Sequence, residues 1–276
     1  MDALTPSPDD TAVEAKPAAP KSFGARNEHA LIGICSMLVF LAFWEMAVAL
    51  AWVNPLFISS PSRIVHAGYE MFADGSIYPH LAVSGYEFLV GYGMAIVIGL
   101  LLGVLMGWYT RFQYALDPFV NFFYSTPRIV LIPLFILWWG IEMQPKIAVI
   151  FLGALFPIII NTMAGVRNTE AALLRVARSF GASDALIFRR VVLPGSVPFI
   201  LTGFRLGIGH ALTGVVVAEL IAAKHGVGQL IAISSQTFQT PKMLAGVILI
   251  ACTGMLLTTL LQRIENRFQS WRPQIR

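Results

Sequence analysis

FLVGYGMAIVIGLLLGVLMGWYT, residues 88–110, runs for twenty-three residues without a formal charge. The hydrocarbon core of a bilayer is about 30 Å thick, and a helix rising about 1.5 Å per residue needs about 20 apolar residues to cross it. In lipid every backbone N–H and C=O must be satisfied within the segment, so such a run reads as a transmembrane helix. Ile147 to Val166 and Met243 to Gln262, twenty residues each, are long enough as well and equally free of charge. Three further windows are interrupted by ionisable residues or prolines: Leu31 to Val53 with Glu45, Phe119 to Ile141 with Arg128, and Phe199 to Ala223 with Arg205, His210 and Glu219. The expectation is an all-α polytopic membrane protein with six transmembrane helices.

Composition agrees. Of 276 residues, 57% are hydrophobic and 12% charged, too few polar groups to coat a soluble globule. Mean hydropathy is +0.72. The net charge of +4 is too mild to indicate nucleic-acid binding. Cys35 and Cys252 lie singly in apolar runs, where a free cysteine acts as an inert packing residue. His29, His66, His80, His210 and His225 are scattered, without the HExxH or His/Cys pairing a zinc site needs, so no metal site is expected. No catalytic cluster is expected either.

Residues 1–28 mix Pro, Ala, Ser and charges without an apolar period and read as a disordered tail, leaving 29–276 as the membrane domain. Basic residues in short loops are retained in the cytoplasm. With the N-terminus inside, thirteen Lys and Arg fall on the inner side, from Lys16 to Arg276, and only Arg63, Lys146, Lys224 and Lys242 on the outer side. Both termini are therefore expected in the cytoplasm.

Small residues recur four apart at Gly99, Gly103 and Gly107 and again at Gly203, Gly207 and Ala211, faces on which helix backbones can approach closely. They serve either packing within one bundle or a subunit interface. A charge left unpaired in the bilayer costs at least a few kcal/mol, so each ionisable residue in a span needs a partner or water. Arg128, Arg205 and Glu219 are the candidate pathway or gate residues. The two arginines would admit an anionic substrate, or else anchor at the interface or pair with a carboxylate. Glu219 is equally a structural partner, and Glu45, beside Phe43 and Trp44, reads as a satisfied buried acid.

The connection between the fourth and fifth spans, NTEAALLRVARSFGASDALIFRRVVLPGSV (168–197), is far longer than the other inner loop and is strongly patterned. Asn168 or Thr169 can cap a helix with Glu170 in its first turn and Leu173, Val176, Ala177 and Phe180 on one face, away from Arg175 and Arg178. Gly181 suits the left-handed position that ends it. Ser183 and Asp184 restart a second helix through Arg189 and Arg190, which Pro194 stops. The product is a cytoplasmic hairpin over about 168–194. Read physically, it is either a docking element or an amphipathic pair on anionic lipid.

The hairpin resembles the signature of ATP-binding-cassette importer permeases, Glu-Ala-Ala, three residues, Gly, nine residues, then an aliphatic, any residue, Leu and Pro. Arg175, Val176 and Ala177 hold the first three places, Gly181 with Ala182 the turn, and Val191, Leu193 and Pro194 the end. Arg175 replaces the usual glutamate and Val176 the usual alanine. The wider text from Val176 to Ile231, with FWEMAVALAWVNPLFISSPSRIV (43–65) and STPRIVLIPLF (125–135), is similar to the branch serving nitrate, sulfonate, taurine, bicarbonate and pyrimidine precursors. The resemblance implies a transport subunit rather than an enzyme. It implies a permease homodimer in the bacterial inner membrane, two cytoplasmic ATPase subunits that hold ATP and Mg, and an external solute-binding protein, with Arg175, Val176, Ala177, Gly181, Ala182, Val191, Leu193 and Pro194 coupling to the ATPase. No GxxxxGK[ST] occurs in the chain, so nucleotide phosphates have no such cradle here. The competing class is an ion-coupled secondary transporter, which would need midplane ionisable groups and often shows inverted halves.

The basic asymmetry sets an expected outcome for topology. A reporter active only outside the cytoplasm, fused after Arg276, stays inactive, and activity from that fusion overturns the tail-inside arrangement of six crossings.

Overall fold

The computed structural model describes residues 23–268. Most of the expected tail lies outside the described residues, and its last six positions already belong to the first helix. The described chain is helical throughout: α1 (Phe23–Ala49), α2 (Pro61–Ala73), α3 (Ile77–Trp108), α4 (Thr110–Ser125), a 3-10 turn (Arg128–Leu131) running into α5 (Ile132–Trp139), α6 (Met143–Arg167), α7 (Ala171–Ser179), α8 (Asp184–Ile187), α9 (Leu193–Ala222), α10 (Val227–Gln236) and α11 (Thr240–Phe268).

Five helical stretches are long and apolar enough to cross a membrane: 31–49 in α1, α3, α6, 184–221 through α8 and α9, and 240–267 in α11. The expected third span is broken. α4 and the segment 128–139 meet at 91°. Thr126 precedes a proline, whose ring clashes with a helical residue before it, and it sits extended at φ −76°, ψ 127°. Pro127 is extended too, at φ −63°, ψ 109°, so the helix cannot run through.

α6 is the centre of the bundle. Along α3, Gly91, Gly99, Gly103 and Gly107 face Ile150, Ile158, Thr162 and Val166 of α6 in that order, so the two helices run parallel. α9 lies on the other side of α6 and runs antiparallel, with Gly203 against Ile158, Gly214 against Ile150 and Phe199 against Gly165. Both small-residue stripes therefore serve packing within the chain. Parallel neighbours of about 24 Å shared length, from a 16-residue overlap, require the connecting segment 109–142 to return across the full depth. The broken pair is thus one crossing, the sixth.

The buried core between α3, α6 and α9 holds Ala95, Met106, Ile150, Ala154, Ile158, Ile159 and Ala211. At the end where α9 finishes, α2 and α10 lie as short helices; Ile64 and Met71 of α2 pack with Ala245 of α11. Glu45 accepts from Ser62 N at 3.0 Å and from Ser62 Oγ at 2.7 Å and so holds the first turn of α2; the acid is satisfied as expected but only half-buried rather than buried. The cysteines differ from expectation. Cys35 and Cys252 are both exposed, because α1 and α11 turn most of their apolar surface outward, as lipid-facing spans can.

A Cβ on Gly103 would stand 2.6 Å from Thr162 Cβ and 2.8 Å from the Ile159 carbonyl oxygen, whereas one on Gly93 would meet nothing within 4 Å. Gly103→Leu should therefore force α3 off α6 and destabilise the chain by about 1–3 kcal/mol, the usual range for overpacking. Gly93→Leu should leave it unchanged. Thermal unfolding of both variants in detergent checks this, and equal melting would refute the seam.

Candidate functional site: the hairpin and the ionisable groups of the bundle

The hairpin sits where α3 and α6 end and α9 begins. α7 starts one residue later than expected, with Glu170 rather than Asn168 or Thr169 at its N-cap position. Thr169 instead donates to the Val166 carbonyl at 3.1 Å and finishes α6. At the turn, Gly181 N donates to Arg178 O at 2.9 Å and Ala182 N to Ala177 O at 3.1 Å, the paired bonds of a Schellman end. Gly181 takes φ +74°, the left-handed region expected of it. Ser183 Oγ then accepts from Leu186 N at 3.4 Å and starts α8.

The second helix does not stop at Pro194. Residues 188–192 form one wide π turn between α8 and α9, and Pro194 falls in the first turn of α9, where its missing N–H is tolerated. Hairpin and fifth span are therefore one continuous rod from Asp184 to Ile221.

The apolar face of α7 also differs. Leu174 and Ala177, with Ala182 and Val191, pack on Val166, Ile187 and Val192, and Trp108 at the end of α3 meets Phe188 edge-on at 5.1 Å. Leu173, Val176 and Phe180 point away from the bundle, Phe180 being 84% exposed. Arg175, Gly181 and Leu193 are exposed as well, while Pro194 is half-buried. The coupling set thus divides into Ala177, Ala182 and Val191, which seat the hairpin, and Arg175, Val176, Gly181 and Leu193, which face outward.

Glu219 is buried near the far end of α9. Its Oε1 accepts from Ser84 Oγ at 2.6 Å and its Oε2 from Gly228 N at 2.7 Å, which ties α3, α9 and α10 together. Close by, Lys146 Nζ lies 2.6 Å from Glu87 Oε1, both side chains nearly fully buried. Lys146 reads from sequence as a loop cation. The signal for its burial was Glu87 itself, a carboxylate at the edge of a charge-free window with no partner in its own helix. His80 and His225 approach to 5.8 Å at the same end, His80 Nδ1 lying 2.8 Å from the Gly226 carbonyl.

Arg205 is committed to an ion pair with Glu265 of α11, which fulfils the structural alternative for this residue. Arg128 is different. It opens the second half of the broken span, 6.0 Å over the Tyr124 ring, with Nη1 donating to His210 Nδ1 at 3.3 Å. A cavity of about 260 Å³ opens there, lined by Tyr124 to Ile129 and by Val149, Gly153, His210, Thr213, Gly214 and Val217. Arg128, Arg205 and Glu219 therefore do not form one constellation.

The chain matches the family model described as "Binding-protein-dependent transport system inner membrane component" over residues 95–270. It is 34% identical to the Bacillus subtilis (strain 168) protein named for aliphatic sulfonates transport, SsuC, covering 92% of each chain. It is 31% identical to the taurine transport system permease protein TauC of Escherichia coli (strain K12), covering 88% of this chain and 90% of that one. Among solved structures, an inward-facing MetNI methionine ABC transporter shares the fold at a TM-score of 0.61 and 21% identity, over 69% of this chain and 94% of that chain. The model match, the full-length relatives and the helical architecture together place this chain in the family of ATP-binding-cassette importer permeases, in its sulfonate and taurine branch.

Proposed function

We propose that the chain forms the translocation pathway of an ATP-driven importer for a small organic anion of the sulfonate or taurine type. On this reading it works as a homodimer in the bacterial inner membrane, with the hairpin end and both termini in the cytoplasm. An external solute-binding protein delivers the anion, and a pair of cytoplasmic ATPase subunits binds ATP and Mg. The names of the relatives support the cargo, and the family description supports the binding protein.

The observation that carries the proposal is the hairpin. Its inner side is seated on the ends of α3 and α6, its outer side presents Leu173, Val176 and Phe180 to solvent, and it runs without a break into α9. An exposed apolar patch on a rigid turn suits a protein partner better than lipid alone. ATP binding that draws two ATPase subunits together would pull both hairpins inward and tilt the α9 rods attached to them, turning the pathway outward, and hydrolysis would reset it. The free energy enters as tighter nucleotide binding to one of two conformations, and the permease contributes no chemistry of its own.

Two measurements test this. Purification should bring an ATPase subunit with the chain, and taurine uptake should persist when the proton gradient is collapsed but stop when ATP is depleted. Uptake that follows the proton gradient would restore the ion-coupled alternative.

At Gly181 a Cβ would meet nothing within 4 Å, so the cost of Gly181→Val is backbone strain alone. A β-branched residue held at positive φ costs about 1–3 kcal/mol. The variant should insert and dimerise yet lose ATPase co-purification, or keep it with substrate-stimulated hydrolysis reduced several-fold. Parental coupling in this variant would remove the turn from the docking surface and favour the lipid-surface role, in which Arg175, Arg178, Arg189 and Arg190 matter instead.

A further inference from the structure

Three basic side chains lie within the bundle, and two are neutralised. Lys146 meets Glu87, and Arg205 meets Glu265. What sets Arg128 apart is that, among the described residues, it has no carboxylate within ion-pair distance; its Nε, like that of Arg205, is buried without a partner. Its depth is the reverse of an interfacial anchor. Arg128 lines the same cavity as Gly153 and His210, and Gly153 faces the His210 carbonyl directly. Gly153 is ten residues from the start of α6, and His210 lies seventeen residues beyond the start of α9. A cation at mid-depth without a counter-charge is costly in a bilayer and has to face water or an anion.

His210 sharpens the point. Arginine can only donate, so Nδ1 of His210 accepts from Nη1, which requires the neutral imidazole with its proton on Nε2. A neutral histidine orients the guanidinium without cancelling its charge. Arg128 keeps its remaining Nη N–H groups, while Thr126 and Thr213 on the same wall donate their hydroxyl protons to the Phe122 and Gly209 carbonyls, which leaves the guanidinium as the donor for an anion. Val149, Ile129 and Val217 supply an apolar side. A guanidinium fork matches a planar pair of oxyanion oxygens.

We propose that the crevice at the broken third span is an oxyanion way-station, in which Arg128, oriented by His210, receives the sulfonate-type headgroup while its short organic substituent lies against the apolar side. The cavity of about 260 Å³ is at the small end for a ligand site, which fits a compact anion that must leave again. The inference rests on the anion-import reading above and assigns that reading a residue.

The test uses the complete complex of permease, ATPase and binding protein in proteoliposomes, with radiolabelled taurine and ethanesulfonate as probes. Arg128→Gln should lower ATP-dependent uptake at least tenfold, and Arg128→Lys should keep a substantial part of it, while subunit assembly matches the parent. His210→Gln should retain uptake. His210→Glu should abolish it, because a carboxylate there neutralises Arg128 while leaving it paired and folded. If Arg128→Gln fails to assemble, the His210→Glu and His210→Gln pair decides the matter. Parental uptake by Arg128→Gln, or by His210→Glu, overturns the way-station and leaves the importer reading standing. A parent complex that transports neither sulfonate overturns the cargo reading, and the way-station with it.

Discussion

The glycine seam of α3 lies directly on α6, and the rest of the bundle depends on that close approach. Lipid tails are as apolar as leucine, so helices in a bilayer associate through packing rather than through a hydrophobic drive. Four glycines on one face let α3 and α6 run parallel at backbone distance. Parallel neighbours joined in sequence force the chain between them to recross the membrane. The chain leaves α3 at the extended Tyr109 and enters α4 at once, and the Thr126–Pro127 pair then bends the returning segment by 91°. The crevice opens at that break, whose residues Tyr124 to Ile129 form one of its walls.

Against that frame the ionisable groups sort by what compensates them. Glu87 and Lys146 neutralise each other in a nearly dry setting, an arrangement whose two members depend on one another because either alone would be an uncompensated buried charge. Glu219 is held by two donors from neighbouring elements and joins α10 to the bundle. Arg205 ties α9 to α11. These pairs are internal fasteners. Arg128 alone of the three bundle cations is left facing a cavity, which separates a group that holds the fold from one available to a ligand.

The spans were legible because the bilayer imposes a length that charge-free windows reveal directly, and α3, α6 and α11 fall where those windows do. The positive φ of Gly181 was legible for a local reason, a helix-ending glycine with the helix-starting Ser183 and Asp184 just beyond Ala182. What escaped sequence reading is what depends on neighbours. The third span looks like one apolar window because hydropathy does not register that Thr126 must be extended before proline. Pro194 looks like a helix stop because a linear reading has no way to place a π turn ahead of it. Leu173, Val176 and Phe180 look like a face to be buried, although Leu174 and Ala177 take that place. Lys146 looks like a loop residue until Glu87 is beside it.

The continuity from hairpin to α9 bears on how motion could pass through the molecule. Helices transmit displacement when their ends are fixed to something, and the hairpin is fixed twice, by Trp108 against Phe188 and by Ile187 and Val192 against Val166. Two irregularities interrupt the rod: the π turn at 188–192, where the backbone is widened and most easily re-registered, and Pro198 inside α9, which lacks the N–H its turn would use. A push at the exposed face of α7 therefore reaches the middle of α9 past two compliant points, the π turn and Pro198. α9 carries His210 at the crevice, near the middle of the helix, and Glu219 beyond it, close to the end away from the hairpin. Tilting this helix changes the distance between His210 and Arg128, which belongs to a different element. The crevice and the hairpin thus share α9, whose first turns the hairpin runs into and whose middle holds His210 against Arg128.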